Sequence, residues 1–206
     1  MIRLLILTIL ILVLAFGIWF LFFRQDTVKK SSKEGPVIFL GDSLTVGLGA
    51  NDGEDFPSLV SMELNLSTYI NAGVSGDTSE DALNRLQTDV LSKNPSVVVV
   101  LLGGNDFLQK IPEEKTIKNL ERIVRRISES GSAVVLVHLK ANPLKEQYKE
   151  PVKEIAKKYE AALVLNILNG IFGNADLMSD QIHPNAKGYE LMADRISPAL
   201  KKVLDK

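Results

Sequence analysis

From Pro36 onward, short unbroken apolar runs alternate with stretches whose apolar residues recur every three or four positions. The runs at 37–40, 97–102, 133–139 and 162–165 read as strands, and so does 67–71, which is not an apolar run but is rich in β-formers. The most apolar of them, Val97-Val-Val-Val-Leu-Leu102, suits a central strand buried on both faces. Helical spacing marks 56–64, 78–91, 115–130, 151–159 and 186–204, the last with Tyr189, Met192, Ala193, Ile196, Leu200 and Val203 on one face. Asp77 followed by Glu80 reads as a capping-box start for the second helix, and Gly131 as the stop of the third. Pro151 fits a first turn, whereas Pro198 is expected to kink the last helix. Strands separated by helices predict one parallel five-stranded sheet covered on both faces, an α/β sandwich of three layers.

The pattern before Pro36 is different. Leu4–Phe23 carries no charged side chain, and as a helix it would span roughly 30 Å, the thickness of a bilayer core. It reads as an N-terminal transmembrane anchor over residues 1–23. Two alternatives stay open, a cleaved signal peptide and a buried core helix. The apolar run exceeds an ordinary signal core of roughly 7–15 residues. Its best small-residue cleavage site, Ala15-Phe16-Gly17, would leave a mature chain beginning Ile-Trp-Phe-Leu-Phe-Phe. Residues 24–35 are polar and of mixed charge and read as a linker, with the folded domain over 36–206.

Composition narrows the chemistry. Net charge is −1 over 206 residues, so no nucleic-acid footprint shows. There is no cysteine, which removes disulfides, thiolate metal sites and a thiol nucleophile. Any histidine-dependent reaction must use His138 or His183. His138 falls within the fourth strand run and reads as a core or strand-end residue.

Val37-Ile-Phe-Leu-Gly-Asp-Ser43 places a serine at the carboxyl end of the first strand, where α/β folds build their sites. If a helix follows at once, Ser43 offers both a hydroxyl and a backbone N–H without an intrahelical partner. By itself the serine reads equally as a helix cap or a turn residue. Asp180-Gln-Ile-His183-Pro184 supplies an imidazole and a carboxylate three positions apart, the pair that a hydrolytic serine requires. The structural alternative is a surface pair beside a helix start. Asn71-Ala-Gly-Val-Ser-Gly76-Asp77 and Gly103-Gly104-Asn105-Asp106 end the second and third strands. The N–H groups of Ser43 and Gly76 and the Asn105 amide can together form an oxyanion hole. Turn geometry for the glycines and an Asx-turn for Asn105 are the plainer readings. Asp42, Asp77 and Asp106 read as turn and cap residues, and Lys140, Asn142 and Tyr148 as candidate cleft residues.

Taken together, four ordered blocks resemble the SGNH hydrolases, also called the GDSL esterase/lipase family, over about residues 36–204. The blocks are Gly41-Asp42-Ser43-Leu44, Ser75-Gly76-Asp77-Thr78, Gly103-Gly104-Asn105-Asp106 and Asp180-Gln-Ile-His183-Pro184. The family letters fall on Ser43, Gly76, Asn105 and His183, with Asp180 as the acid. The wording is most similar to the thioesterase, lysophospholipase and arylesterase branch. The resemblance implies a flavodoxin-like fold, no metal or organic cofactor, and a carboxylic ester or thioester substrate, including lipid-derived ones. Phe107, Leu108 and Ile111, which follow Asn105, are the expected acyl-binding residues. The G-x-S-x-G elbow of α/β-hydrolases is absent. Two competing functions are a carbohydrate deacetylase or acyltransferase of the same superfamily, and a membrane-tethered flavodoxin-like binding module. Family members are usually exported, which implies an extracytoplasmic domain. Arg24, Lys29, Lys30 and Lys33 after the apolar run lean the other way, although large domains translocate despite such charges. Nothing in the sequence sets the oligomeric state.

Overall fold

A computed structural model describes residues 28–140 and 148–204. The proposed anchor over 1–23 and Asn142 lie outside the described residues. Among those described, no helix is long and apolar enough to cross a membrane.

Five parallel strands form one sheet in the order β2-β1-β3-β4-β5. They are β1 (Val37–Gly41), β2 (Tyr69–Gly73), β3 (Val97–Leu101), β4 (Ala133–Val137) and β5 (Ala162–Val164). The helices are α1 (Ser43–Val46), α2 (Phe56–Glu63), α3 (Ser79–Asp89), α4 (Gly104–Leu108), α5 (Glu113–Glu129), α6 (Lys149–Lys158) and α7 (Ala186–Leu204). A 3₁₀ turn at Leu91–Lys93 precedes β3. Every residue of β1, β3 and β4 is buried, which explains their unbroken apolar runs.

Alternate residues of each strand feed two separate cores. Phe39, Val99 and Val135 pack with Phe56, Val60, Tyr189 and Met192, so α2 and α7 cover one face. Leu40, Val100 and Leu136 pack with Leu86, Ile123 and Ile155, so α3, α5 and α6 cover the other. Burying one such side chain contributes about 1.5–3 kcal/mol, which makes the two faces the main source of stability.

Three local expectations change. The capping box at α3 is Thr78 with Asp81, one residue later than Asp77 and Glu80. Strand β2 starts at Tyr69 and runs to Gly73. The stretch after Gly103 is a short helix, α4, which the two glycines and Asn105 disguise in sequence.

The polar stretch before the domain is fastened to it over residues 28–35. The Lys29 N–H donates to Glu160 O (2.8 Å) and the Ser31 N–H to Val203 O (2.9 Å). Lys29 Nζ donates to Ser128 O (3.1 Å), and Lys33 Nζ to Asn94 Oδ1 (3.0 Å) and Ser130 O (3.2 Å). Gly35 has φ +149°, and a Cβ there would lie 2.2 Å from Asn94 O, so the chain needs a glycine to enter β1. All these anchor points lie where helices end and strands begin.

Candidate active site

The opposite edge of the sheet carries the chemistry. Ser43 is the first residue of α1, directly after β1. Asp42 caps that helix, its Oδ1 accepting the Leu44 N–H at 3.0 Å. The Ser43 hydroxyl is therefore not used as the cap. As the first helical residue, its N–H has no intrahelical acceptor. A Cβ on Gly41 would meet Thr45 Oγ1 at 2.1 Å and Leu101 O at 2.6 Å, so only glycine lets α1 fold back this tightly.

His183 arrives from the loop before α7. Its Nε2 is 3.0 Å from Ser43 Oγ, and its Nδ1 is 2.8 Å from Asp180 Oδ2. Asp180 Oδ1 also accepts the N–H groups of Ile182 and His183, both at 2.7 Å. These bonds hold the Asp180 carboxyl down at about 2, the His183 side chain first and the two backbone donors after it. Ser179 closes the loop through its N–H (2.9 Å) and Oγ (3.1 Å) to His183 O. Asn185 begins α7, its Oδ1 accepting the Gly188 N–H at 3.2 Å; Pro184 stands before the helix, not in its first turn. Two glycines make room for the loop. A Cβ on Gly49 would lie 2.1 Å from Ser179 Oγ, and one on Gly188 would lie 2.7 Å from Pro184 Cβ.

Asn105 joins the ends of the first two strands. Its Nδ2 donates to Asp77 O at 2.9 Å and stands 3.4 Å from Asp42 Oδ2. Asp42 precedes Ser43 and Asp77 follows Gly76, so the Asn105 amide contacts the sequence neighbours of both candidate backbone donors. Gly76 has φ +86°, and a Cβ there would touch nothing within 4 Å, so backbone conformation and not crowding asks for glycine.

Arg85 was invisible as a site residue, because it reads as one charge on the polar face of a helix. Its Nε is 2.6 Å from Asp77 Oδ2, and its Nη2 donates to Gly41 O (3.1 Å) and Ala72 O (2.8 Å). It thereby ties the ends of β1 and β2 to the turn that carries Gly76. Fully buried Asp106 accepts from the Ser79 N–H (2.8 Å), Ser79 Oγ (2.6 Å) and Thr116 Oγ1 (3.0 Å), docking α3 and α5 onto α4. Asp42 is also buried. Burial raises its carboxyl to about 6, against the opposing pull of the Leu44 N–H and His183.

A small open cleft lies beside Ser43 and Asn105, with Phe107, Leu108, Leu139, Lys140, Leu168, Phe172 and Ile182 on its walls. Phe107 and Leu108, the expected acyl-binding residues, are among its lining residues. Ile111 is not among the lining residues; it is half-buried and its N–H donates to Asp106 O at 2.9 Å. Tyr148 is buried behind Gly103 and also stays out of the cleft. Leu139 ends the fourth apolar run, whereas Leu168 and Phe172 had no periodic signal to betray them. His138 is buried just past β4, its Nδ1 accepting the Asn166 N–H at 3.2 Å. A wider groove of about 1650 Å³ beside α5 and α6 contains no histidine.

Residues 39–191 match the GDSL-like lipase/acylhydrolase family. Esterase TesA of Pseudomonas aeruginosa is 28% identical over 178 residues, covering 82% of this chain and 89% of the relative. The thioesterase 1/protease 1/lysophospholipase L1 of Escherichia coli K12 is 27% identical over 193 residues, 90% of this chain and 92% of the relative. The crystal structure of TesA superposes with a TM-score of 0.76 at 28% identity, over 82% of this chain and 99% of that one. AlinE4, a SGNH-hydrolase family esterase, superposes with a TM-score of 0.62 at 32% identity, over 85% of this chain and 100% of that one. The chain belongs to the GDSL-like lipase/acylhydrolase family and is an ester-hydrolysing enzyme of the SGNH fold.

Proposed function

We propose that Ser43, His183 and Asp180 form the catalytic triad of a serine hydrolase acting on carboxylic esters or thioesters. The observation that carries this is the unbroken line from Ser43 Oγ through the imidazole to the Asp180 carboxylate, at 3.0 and 2.8 Å. In this reading Ser43 Oγ attacks the acyl carbon while His183 Nε2 takes its proton. Asp180 keeps the other proton on Nδ1 and stabilises the imidazolium. The tetrahedral oxyanion is met by the Ser43 and Gly76 N–H groups and the Asn105 amide. His183 then protonates the departing alcohol or thiol, and water repeats the sequence on the acyl-serine. The Asp180 carboxyl, at about 2, stays ionised throughout the neutral range, which suits this role.

The apolar wall of Leu108, Leu139, Leu168 and Phe172 favours an acyl chain over a sugar beside the reacting carbonyl. A second reading, deacetylation of a carbohydrate, draws on AlAXEase, an acetyl xylan esterase that superposes with a TM-score of 0.67 at 26% identity. A series of p-nitrophenyl esters of increasing chain length, run beside acetylated sugars, separates the two. Rising kcat/KM from acetyl to medium chains supports the first; activity confined to acetyl groups supports the second. A fluorescent phosphonate that fails to label Ser43 would sink both.

We also read Leu4–Phe23 as a single-pass membrane anchor holding the domain outside the cytoplasm. Protease treatment of intact spheroplasts tests it: a digested domain is expected, and full protection would reverse the orientation.

A further inference from the structure

We propose that the edge of the sheet where the strands begin is a lipid-facing surface. In the full chain it rests on an anionic bilayer, and the catalytic cleft opens away from that bilayer. The inference rests on the anchor reading above but not on the catalytic one.

The first observation is where the chain enters the domain. Val28–Gly35 is pinned to Glu160, Val203, Ser128 and Asn94, at the ends of helices and the starts of strands. Ser43 lies at the other ends of the strands. Only residues 24–27 separate Phe23 from this fastened stretch. The five links from Phe23 to Val28 reach at most about 18 Å when fully extended. A domain of this length is roughly 40 Å across. Whatever holds Phe23 at a membrane therefore holds the strand-start edge beside it. The domain has too little slack to turn its cleft towards the same surface.

The second observation is the charge. The chain is nearly neutral, yet its charges are sorted along the strand axis. The 3₁₀ turn and helices α5, α6 and α7 carry Lys93, Arg126, Lys158 and Lys202 in their last turns, all on the strand-start edge. First-turn acids Glu80, Glu113 and Glu150 stand on the cleft side. Helix dipoles favour such sorting, so these residues alone would argue for nothing more. Lys29, Lys30 and Lys33 belong to no helix; Lys29 and Lys33 sit on the last carbonyls of α5, and only Lys30 is left without such a partner in a helix end. They add three positive charges to the same edge, next to the point of attachment. Some of the edge's charges are internally balanced, as Lys158 is by Glu121 at 2.7 Å. Among the described residues, Lys30, Lys33, Lys93 and Lys201 have no carboxylate in ion-pair range. Juxtamembrane lysines of this kind are drawn to anionic headgroups.

For the enzyme, this orientation means that acyl esters reach the cleft from the aqueous side. The lipids of the bilayer that holds the domain do not face Ser43.

The absence of cysteine makes a direct test available, because a single introduced cysteine is unique. The full chain is reconstituted into phosphatidylcholine vesicles with or without phosphatidylglycerol. A donor dye is placed on Ser92→Cys, beside Lys93, or on Gln109→Cys, just after α4; both positions are exposed. Energy transfer to headgroup-labelled acceptors reports the height of each. The expected result is a Ser92 dye close to the headgroups and a Gln109 dye held further out by a large part of the domain's roughly 40 Å width. Transfer from Ser92 should rise when phosphatidylglycerol is present. In the triple variant Lys30→Gln, Lys93→Gln, Lys201→Gln, which leaves the fastening bonds of Lys29 and Lys33 in place, the domain's preference for the anionic surface should drop about a hundredfold, from roughly fivefold per lysine. A Gln109 dye as close as the Ser92 dye would overturn the proposal. So would a Ser92 signal indifferent to lipid charge, or a chain that does not stay with the vesicles, which would remove the anchor reading as well. Labelling of Ser43 by the phosphonate, followed on the same samples, reports the catalytic reading independently.

Discussion

Asn105 Nδ2 donates to Asp77 O at 2.9 Å, so in the resting site the amide of one strand end is fixed by the turn that ends another. Its contact with Asp42 Oδ2, at 3.4 Å, is too long to be a strong hydrogen bond. An amide has two N–H groups, and the weakly used one is available to a substrate oxygen. Asn105→Ala should lower kcat by about 10²–10³ while the far-UV spectrum stays unchanged. A loss below tenfold in steady-state assays would remove Asn105 from the oxyanion hole.

Ser43→Ala should lose activity on the order of 10⁶, the scale set by other serine nucleophiles, with the fold intact. His183→Ala should be nearly as severe. His138→Ala, by contrast, should act on stability, since that ring is buried and its Nδ1 faces a backbone N–H. Paired urea titrations and turnover measurements separate the two histidines. A dispensable His183 would overturn the triad.

Arg85→Lys tests the tie between strand ends. Lysine keeps a charge for Asp77 but cannot also span Gly41 O and Ala72 O. Stability should drop by about 2–3 kcal/mol, for hydrogen bonds made by a charged group. If the tie also sets the spacing of the Ser43 and Gly76 N–H groups, kcat should fall about tenfold at nearly constant KM. An unchanged kcat in a destabilised variant would mean that Arg85 holds the fold alone.

The buried Asp42 carboxyl gives stability a pH dependence. Its value is raised from 3.8 to about 6 in the folded protein. A raised carboxyl stabilises the fold while protonated: the contribution is full below pH about 4 and is lost as pH rises through about 6. Asp42→Asn keeps an acceptor for the Leu44 N–H and removes the titration. Relative to this variant, the natural protein should lose about 2 kcal/mol between pH 4 and pH 7. Urea midpoints across that range check it. Asp180 acts in the opposite sense, since its lowered carboxyl favours the folded state above pH about 4 and that support fades towards pH 2.

Leu108 is more than half exposed at the cleft wall, where solvent normally selects a polar residue. Each acyl methylene buried there contributes about 0.8 kcal/mol. Leu108→Ser should flatten the chain-length profile and leave acetyl ester hydrolysis nearly unchanged. An equal loss at every chain length would make the loop structural.

The sequence exposes features with a periodic or local signal. The all-apolar runs of β1, β3 and β4 are legible because both faces of those strands are buried. Ser43, Asn105 and His183 are legible because each stands at a strand end or helix start with residue types that suit a shared chemistry. Arg85 is not, because its role depends on Gly41 and Ala72, carbonyls of two other elements. The cleft wall formed by Leu168 and Phe172 is hidden for a similar reason, since a loop has no period to read. The capping box is Thr78 with Asp81, a pattern the sequence also carries, and Asp77 is left to Arg85. Residues 28–35 look like free linker by composition, yet their polar groups fit the carbonyls left open where the helices stop.

The hollows at Gly49 and Gly188 bear on transplantation. Neither glycine touches the imidazole, but the loop that aims it rests in the space that both leave. A designer who grafts Asp180, His183 and Ser43 onto another parallel sheet carries the reagents without their mould. Any side chain at either seat would push the loop, and errors of an ångström at Nε2 are large against a 3.0 Å proton path. The smallest portable unit of this site therefore includes two residues with no side chain.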